Sequence, residues 1–172
     1  VKTLLNRALF EKKVPMKALF ICTHNRCRSI LAEAITNHLS NGKIVARSAG
    51  SSPTGEVHPL SLKYLQEQGI SIDGLQSQSW DEHEAFAPDV VFTVCDSAAK
   101  ETCPAWFGQS LVVHWGLPDP SKLECSEEEK RTAFYAVMKT IETRVSELLK
   151  LDITKLNRIQ LDSALTKIGG EN

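Results

Sequence analysis

Short apolar runs alternate with helix-patterned segments, and this alternation constrains the fold more than anything else in the chain. Residues 18–21, 44–46, 90–94 and 111–114 read as strands, and the apolar runs among them are continuous rather than alternating. A strand with one wet face alternates, whereas one buried on both faces does not. Between them, Ile30, Ala34, Ile35 and Leu39 recur at helical spacing over residues 29–39. Leu60, Tyr64 and Leu65 do so over residues 58–68, with Gly69 as a stop. Ser126 reads as a helix N-cap, and Glu127, Glu128 and Glu129 complement the positive end of a helix running to about Leu149. The pattern predicts an α/β fold, a parallel sheet covered on both faces.

The 172 residues suit one domain. Residues 16–150 read as its body, with an N-terminal extension over residues 1–15 and a C-terminal helical extension over residues 151–172. Met16 reads as the natural start or close to it. The preceding residues are either an appended extension or a short amphipathic helix packed on the body. The last amphipathic segment, residues 153–168, leads into Gly169 and Gly170.

Twenty basic against twenty-one acidic residues leave a net charge of −1. This excludes a bulk basic footprint for nucleic acid or for an anionic membrane surface, and no apolar run is long enough to span a membrane. Five cysteines cannot all pair within one chain. A cytoplasmic location, where thiols stay reduced, is expected.

The first strand runs into Cys22-Thr23-His24-Asn25-Arg26-Cys27-Arg28-Ser29, after which a helix begins. Open parallel sheets place their sites at strand carboxyl ends. A tight loop entering a helix there turns successive N–H groups inward as an anion cradle. Arg28 adds a planar fork for a tetrahedral oxyanion, and residues 23–29 together form the expected binding loop. Cys22 stands at its floor as a nucleophile, with a pKa expected below the free value of about 8.5. Ser29 is expected to cap the helix or to donate to the thiolate. Cys27 reads as a packing residue and His24 as a plain loop residue. The cysteine spacings contain no C-x2-C pair, so no metal is assigned.

Such a nucleophile needs an acid for the departing oxygen. Asp119 lies between Pro118 and Pro120, in a stiff loop after the fourth strand and on the same sheet edge. Cys95 ends the third strand on that edge, and Cys103 follows eight positions later. In a rigid helix the two sulfurs are too far apart to bond, because the Cα atoms must come within about 7 Å. Two readings stay open: a thiol relay, in which the intervening segment unwinds, or two buried thiols. Cys125, before the Ser126 cap, reads as incidental.

The loop over residues 22–29, the Ser48-Ala49-Gly50 turn, the His58-Pro59-Leu60 helix start and the Asp119-Pro120 pair resemble the low-molecular-weight protein tyrosine phosphatase fold. Val94-Cys95-Asp96, Cys103-Pro104 and His114-Trp115-Gly116 resemble the arsenate reductases built on that fold. The likeness covers residues 16–149. It implies a three-layer fold whose four-stranded parallel sheet, in strand order 2-1-3-4, is flanked by helices. It implies that Cys22 attacks arsenate, that Arg28 and the loop amides hold the oxygens, and that Asp119 protonates the leaving oxygen. It further implies that Cys95 attacks Cys22 to release arsenite, that Cys103 then pairs with Cys95, and that thioredoxin or a glutathione/glutaredoxin-type reductant restores the dithiol. No cofactor is implied. Some members bind potassium near the loop. Asn25, Glu33 and Ser48 match part of that site, but they read here as loop bracing and helix surface.

Two features depart from the family pattern. His24 and Arg26 alter the rim, and the interval from Cys95 to Cys103 is one residue longer than in thioredoxin-coupled members. Competing expectations are a tyrosine phosphatase, for which the loop and Asp119 suffice, and a non-catalytic oxyanion-binding or redox-sensing protein. Against the phosphatase, Ser121-Lys122-Leu123 stands where phosphatases of this family place tyrosines.

Overall fold

The computed structural model describes residues 15–170. Strands β1 (Met16–Ile21), β2 (Ile44–Ala49), β3 (Val90–Thr93) and β4 (Leu111–His114) form one sheet in the order β2-β1-β3-β4. Every pairing is parallel, as the continuous apolar runs predict. Helices α1 (Arg28–Ser40), α2 (Pro59–Glu67), α3 (Asp96–Lys100), α4 (Glu127–Leu149) and α5 (Arg158–Gly170) flank it. The expectation for the N-terminal extension falls on residues outside those described, apart from Pro15.

The core lies along the central strands. Phe20 of β1 stacks on Phe92 of β3 at 5.0 Å between ring centroids, and Phe92 meets Trp115 at 4.2 Å. Burying each such ring stabilises the fold by roughly 1.5–3 kcal/mol. Pairing continues past the strand ends: Val94 N donates to Ile21 O, and Leu117 N to Val94 O, both at 2.9 Å. These two bonds bring the segments after β1, β3 and β4 to one edge.

The C-terminal segment differs from the continuous helix expected over residues 153–168. A single 3-10 turn at Ile153–Lys155 comes first. Asn157 and Gln160 then start α5 by exchanging bonds, Gln160 N to Asn157 Oδ1 at 2.8 Å and Asn157 N to Gln160 Oε1 at 3.0 Å. This helix packs against β4, with Leu161 and Leu165 fully buried. The Trp115 indole donates to Leu165 O at 2.8 Å. Gly169 is part of the helix rather than its stop. A Cβ there would lie 2.9 Å from Trp115 Nε1 and 3.0 Å from His114 O, so the close approach requires glycine. Arg144 of α4 is buried and donates to Gly116 O at 3.0 Å and Gly169 O at 3.3 Å, tying the segment after β4 to α5. No described helix is long and apolar enough to cross a membrane.

Candidate active site

β1 delivers Cys22, 6% exposed, to the floor of the loop. The loop is held from three sides. Asn25, fully buried at φ 45°, donates from Nδ2 to Ser29 Oγ (2.8 Å) and Ser48 Oγ (3.0 Å), and its Oδ1 accepts from Gln78 N (2.8 Å). Gly50 packs directly behind, where a Cβ would stand 2.5 Å from Thr23 O and 2.7 Å from Cys22 O. His58, the N-cap of α2, donates its backbone N–H to Arg26 O at 2.9 Å. Among the described residues, the amides of Asn25, Arg26 and Cys27 donate to no backbone carbonyl. Such amides are what an anion cradle requires.

Arg28 opens α1 with its fork across the loop. Nη1 donates to Leu117 O at 3.2 Å and Nη2 to Asp119 Oδ2 at 3.4 Å, while buried Nε has no partner among the described residues. Asp119 Oδ1 accepts from the Ser121 amide (2.9 Å) and hydroxyl (2.6 Å). Burial pushes the Asp119 pKa up. The Ser121 bonds and the charges of Arg28 and Lys122 outweigh it, so the carboxyl sits below its ordinary value.

Two expectations for this loop are corrected. Ser29 neither caps α1 nor serves the thiolate; it is buried and accepts from Asn25. Cys22 is not the low-pKa thiol. The neighbouring Cys95 sulfur, then burial, raises its pKa against the pull of Arg28 and the His24 amide. Cys95 carries the negative charge instead. Its pKa is drawn down to about 5, chiefly by the neighbouring Cys22 thiol, with burial opposing and the Ala98 and Thr23 amides assisting. The backbone amides alone do not decide which sulfur ionises, because the second sulfur lies within reach of the first.

Cys95 is buried as the N-cap of α3, and its Sγ accepts from Ala98 N at 3.4 Å. Cys103 lies beyond that helix, its thiol directed to Glu101 O at 3.8 Å. Burial, then the Glu101 charge, raises its pKa. All five cysteines are free thiols. Cys27 is a packing residue as expected, 3% exposed, with its thiol pushed up to about 12 by burial. Exposed His24 contacts the Ser52 carbonyl through Nδ1 at 3.1 Å. Cys125 takes part in none of these contacts.

Asn25 and Ser48 brace the loop as read, and Glu33 is half-buried on α1, where burial lifts its carboxyl to about 7 against the Ser48 amide and Arg47. The described residues hold no cluster of three or more His, Cys, Asp or Glu suited to a metal ion. Sequence reasoning missed three supports. These are the Thr23 hydroxyl donating to Glu101 Oε1 at 2.8 Å, the His114 ring between Thr93 Oγ1 (2.8 Å) and Asp96 Oδ1 (3.2 Å), and buried Arg144. For the Thr23 and His114 contacts the sequence cue is polarity beside a strand end; for Arg144, inside α4, there is none.

A buried thiol at the floor of an anion loop, an arginine fork and an opposed carboxylate on an open parallel sheet define a class of protein that attacks oxyanions through cysteine. Relatives narrow the class. The sequence model described as low molecular weight phosphotyrosine protein phosphatase matches residues 17–161, and the chain belongs to that family. It is 36% identical over 126 residues to an arsenate reductase of Halalkalibacterium halodurans, covering 73% of this chain and 89% of that one. It is 31% identical over 133 residues to a glutaredoxin arsenate reductase of Synechocystis sp., covering 77% and 95%. The solved thioredoxin-dependent arsenate reductase of Corynebacterium glutamicum superposes with a TM-score of 0.62 at 28% identity, covering 87% of this chain and 69% of that one.

Proposed function

We propose that this protein reduces arsenate to arsenite by thiol chemistry. The observation that carries the reading is that Cys95 stands beside Cys22 at the end of the neighbouring strand, close enough for each sulfur to shift the other's acidity. A phosphatase needs one thiol and an acid, whereas a reductase needs a second thiol within reach of the first.

Cys22, once its proton has passed to the oxyanion, attacks arsenic. Arg28 and the amides of residues 23–29 hold the oxygens, and Asp119 gives the proton with which one oxygen leaves as water. Cys95 thiolate then attacks Cys22 Sγ. The S–As bond breaks, its electron pair stays on arsenic, and arsenite departs from a Cys22–Cys95 disulfide. Cys103 attacks Cys95, freeing Cys22 and leaving a Cys95–Cys103 disulfide for an external dithiol. Thioredoxin or a glutathione/glutaredoxin-type system is that reductant. A reducing compartment such as the cytoplasm suits a chain with five free thiols.

The test is arsenite release with thioredoxin and glutaredoxin systems assayed side by side. Cys95→Ser should bind oxyanion and lose turnover, and full turnover in that variant would sink the relay. Hydrolysis of a phosphotyrosine analogue without arsenate reduction would return the chain to the phosphatase reading.

A further inference from the structure

Cys95 and Cys103 occupy opposite ends of a segment that has to be rebuilt before they bond. α3 holds five residues between them in helical form, and Glu101 to Cys103 then leave the helix, with Glu101 extended at φ −74°, ψ 152°. One side chain fastens this segment to the oxyanion loop. Glu101 Oε1 accepts from the Thr23 hydroxyl at 2.8 Å, and Thr23 directly follows Cys22. The same residue engages the third thiol, whose Sγ is directed to Glu101 O at 3.8 Å.

The Thr23 hydroxyl has one proton and two neighbours, the Glu101 carboxylate at 2.8 Å and the Cys95 sulfur at 3.8 Å. The shorter, charge-assisted contact takes it. While Glu101 is in place, Cys103 faces a carbonyl rather than Cys95, and its thiol is kept protonated by burial and by the Glu101 charge. When the Glu101 side chain leaves, the Thr23 proton becomes available to the Cys95 sulfur and the segment that carries Cys103 is no longer tied to the oxyanion loop.

We infer that Glu101 is a positioning residue that latches the segment over residues 96–103 to the oxyanion loop, and that its release from Thr23 gates the passage of oxidation from Cys95 to Cys103. The gated step is a thiol–disulfide exchange. Cys103 thiolate bonds to Cys95 Sγ, the Cys22–Cys95 bond breaks, and Cys22 departs as thiolate and regains a proton, with no outside oxidant. The inference rests on the reductase reading for its use in turnover, but the latch belongs to the reduced protein and is measured without arsenate.

The experiment compares wild type, Glu101→Ala and Glu101→Gln, using mass-resolved alkylation of the reduced full chain by iodoacetamide at neutral pH. Glutamine keeps an oxygen to accept from Thr23, whereas alanine does not. Expected is a rise of about tenfold in Cys103 alkylation for Glu101→Ala, the scale of losing one hydrogen bond to a charged group, and a rise under threefold for Glu101→Gln. A Cys103 rate unchanged in Glu101→Ala overturns the latch. Equal rates in the two variants overturn it too, by assigning the effect to charge. In a single turnover with arsenate and no reductant, Glu101→Ala should raise the rate of Cys95–Cys103 disulfide formation relative to the rate of arsenite release, and an unchanged ratio would overturn the gate. No arsenite from wild type would fail the reductase reading while leaving the alkylation result standing.

Discussion

Cys22 and Cys95 stand close enough that each sulfur shifts the other's acidity, upward at Cys22 and downward at Cys95. The resting pair therefore shares one proton and one negative charge, with the charge favoured on Cys95.

Ultraviolet thiolate absorbance should show the pair losing its first proton with a midpoint near pH 5 and retaining the second well into the alkaline range. Replacing Cys95 by serine removes the charged acceptor, so the Cys22 pKa should fall. Cys22 alkylation at neutral pH should then rise by about tenfold or more, since each pKa unit corresponds to a tenfold change in thiolate fraction. An unchanged Cys22 rate would show that burial alone holds its proton.

Glu33 should make stability depend on pH. Its pKa rises from 4.5 to about 7 on folding, so the folded protein binds the extra proton between those values. Its contribution is fully present below pH 4.5 and is lost as pH climbs to about 7. Glu33→Gln should match wild type at pH 4 and exceed it by on the order of 1–3 kcal/mol at pH 8. Urea unfolding at the two pH values checks both arms.

Gly50→Ala should damage the loop without touching its chemical groups. The added methyl would meet the carbonyls of Thr23 and Cys22 at 2.5 and 2.7 Å, and backbone gives little. A loss of about 1–3 kcal/mol in stability is expected from such overpacking. Weaker arsenate binding should accompany it, read from denaturant unfolding and from KM.

Leu161→Ala should cost about 2–5 kcal/mol, the scale for emptying a closed core site. A value near zero by denaturant unfolding would mean that α5 is dispensable to the body.

The central strands β1 and β3 were legible because a strand buried on both faces writes its burial as an uninterrupted apolar run, whereas the edge strands β2 and β4 alternate buried and exposed residues and showed only through short apolar stretches. The loop was legible because Cys22 and Arg28 are chemically conspicuous at a strand–helix junction. The strand order came only through the family likeness, since local pattern carries no pairing information. Hidden were residues whose work is done by partners far along the chain. Asn25 reaches Gln78, Thr23 reaches Glu101 and Arg144 reaches back to Gly116. Each looks locally like an ordinary polar residue. The acidity of Cys22 was misjudged for the same reason, because Cys95 is a neighbour only after folding.

The contact between Arg28 and Asp119 carries a last consequence. In the proposed mechanism, the guanidinium that receives the substrate is first held by the carboxylate that later protonates the leaving oxygen. An arriving oxyanion spreads its own charge over Arg28 and brings like charge toward Asp119, and both changes favour a protonated carboxyl. Proton uptake and anion capture are thus thermodynamically linked, each strengthening the other by the same factor. The acid is armed by the arrival of its substrate and stands disarmed while the loop is empty.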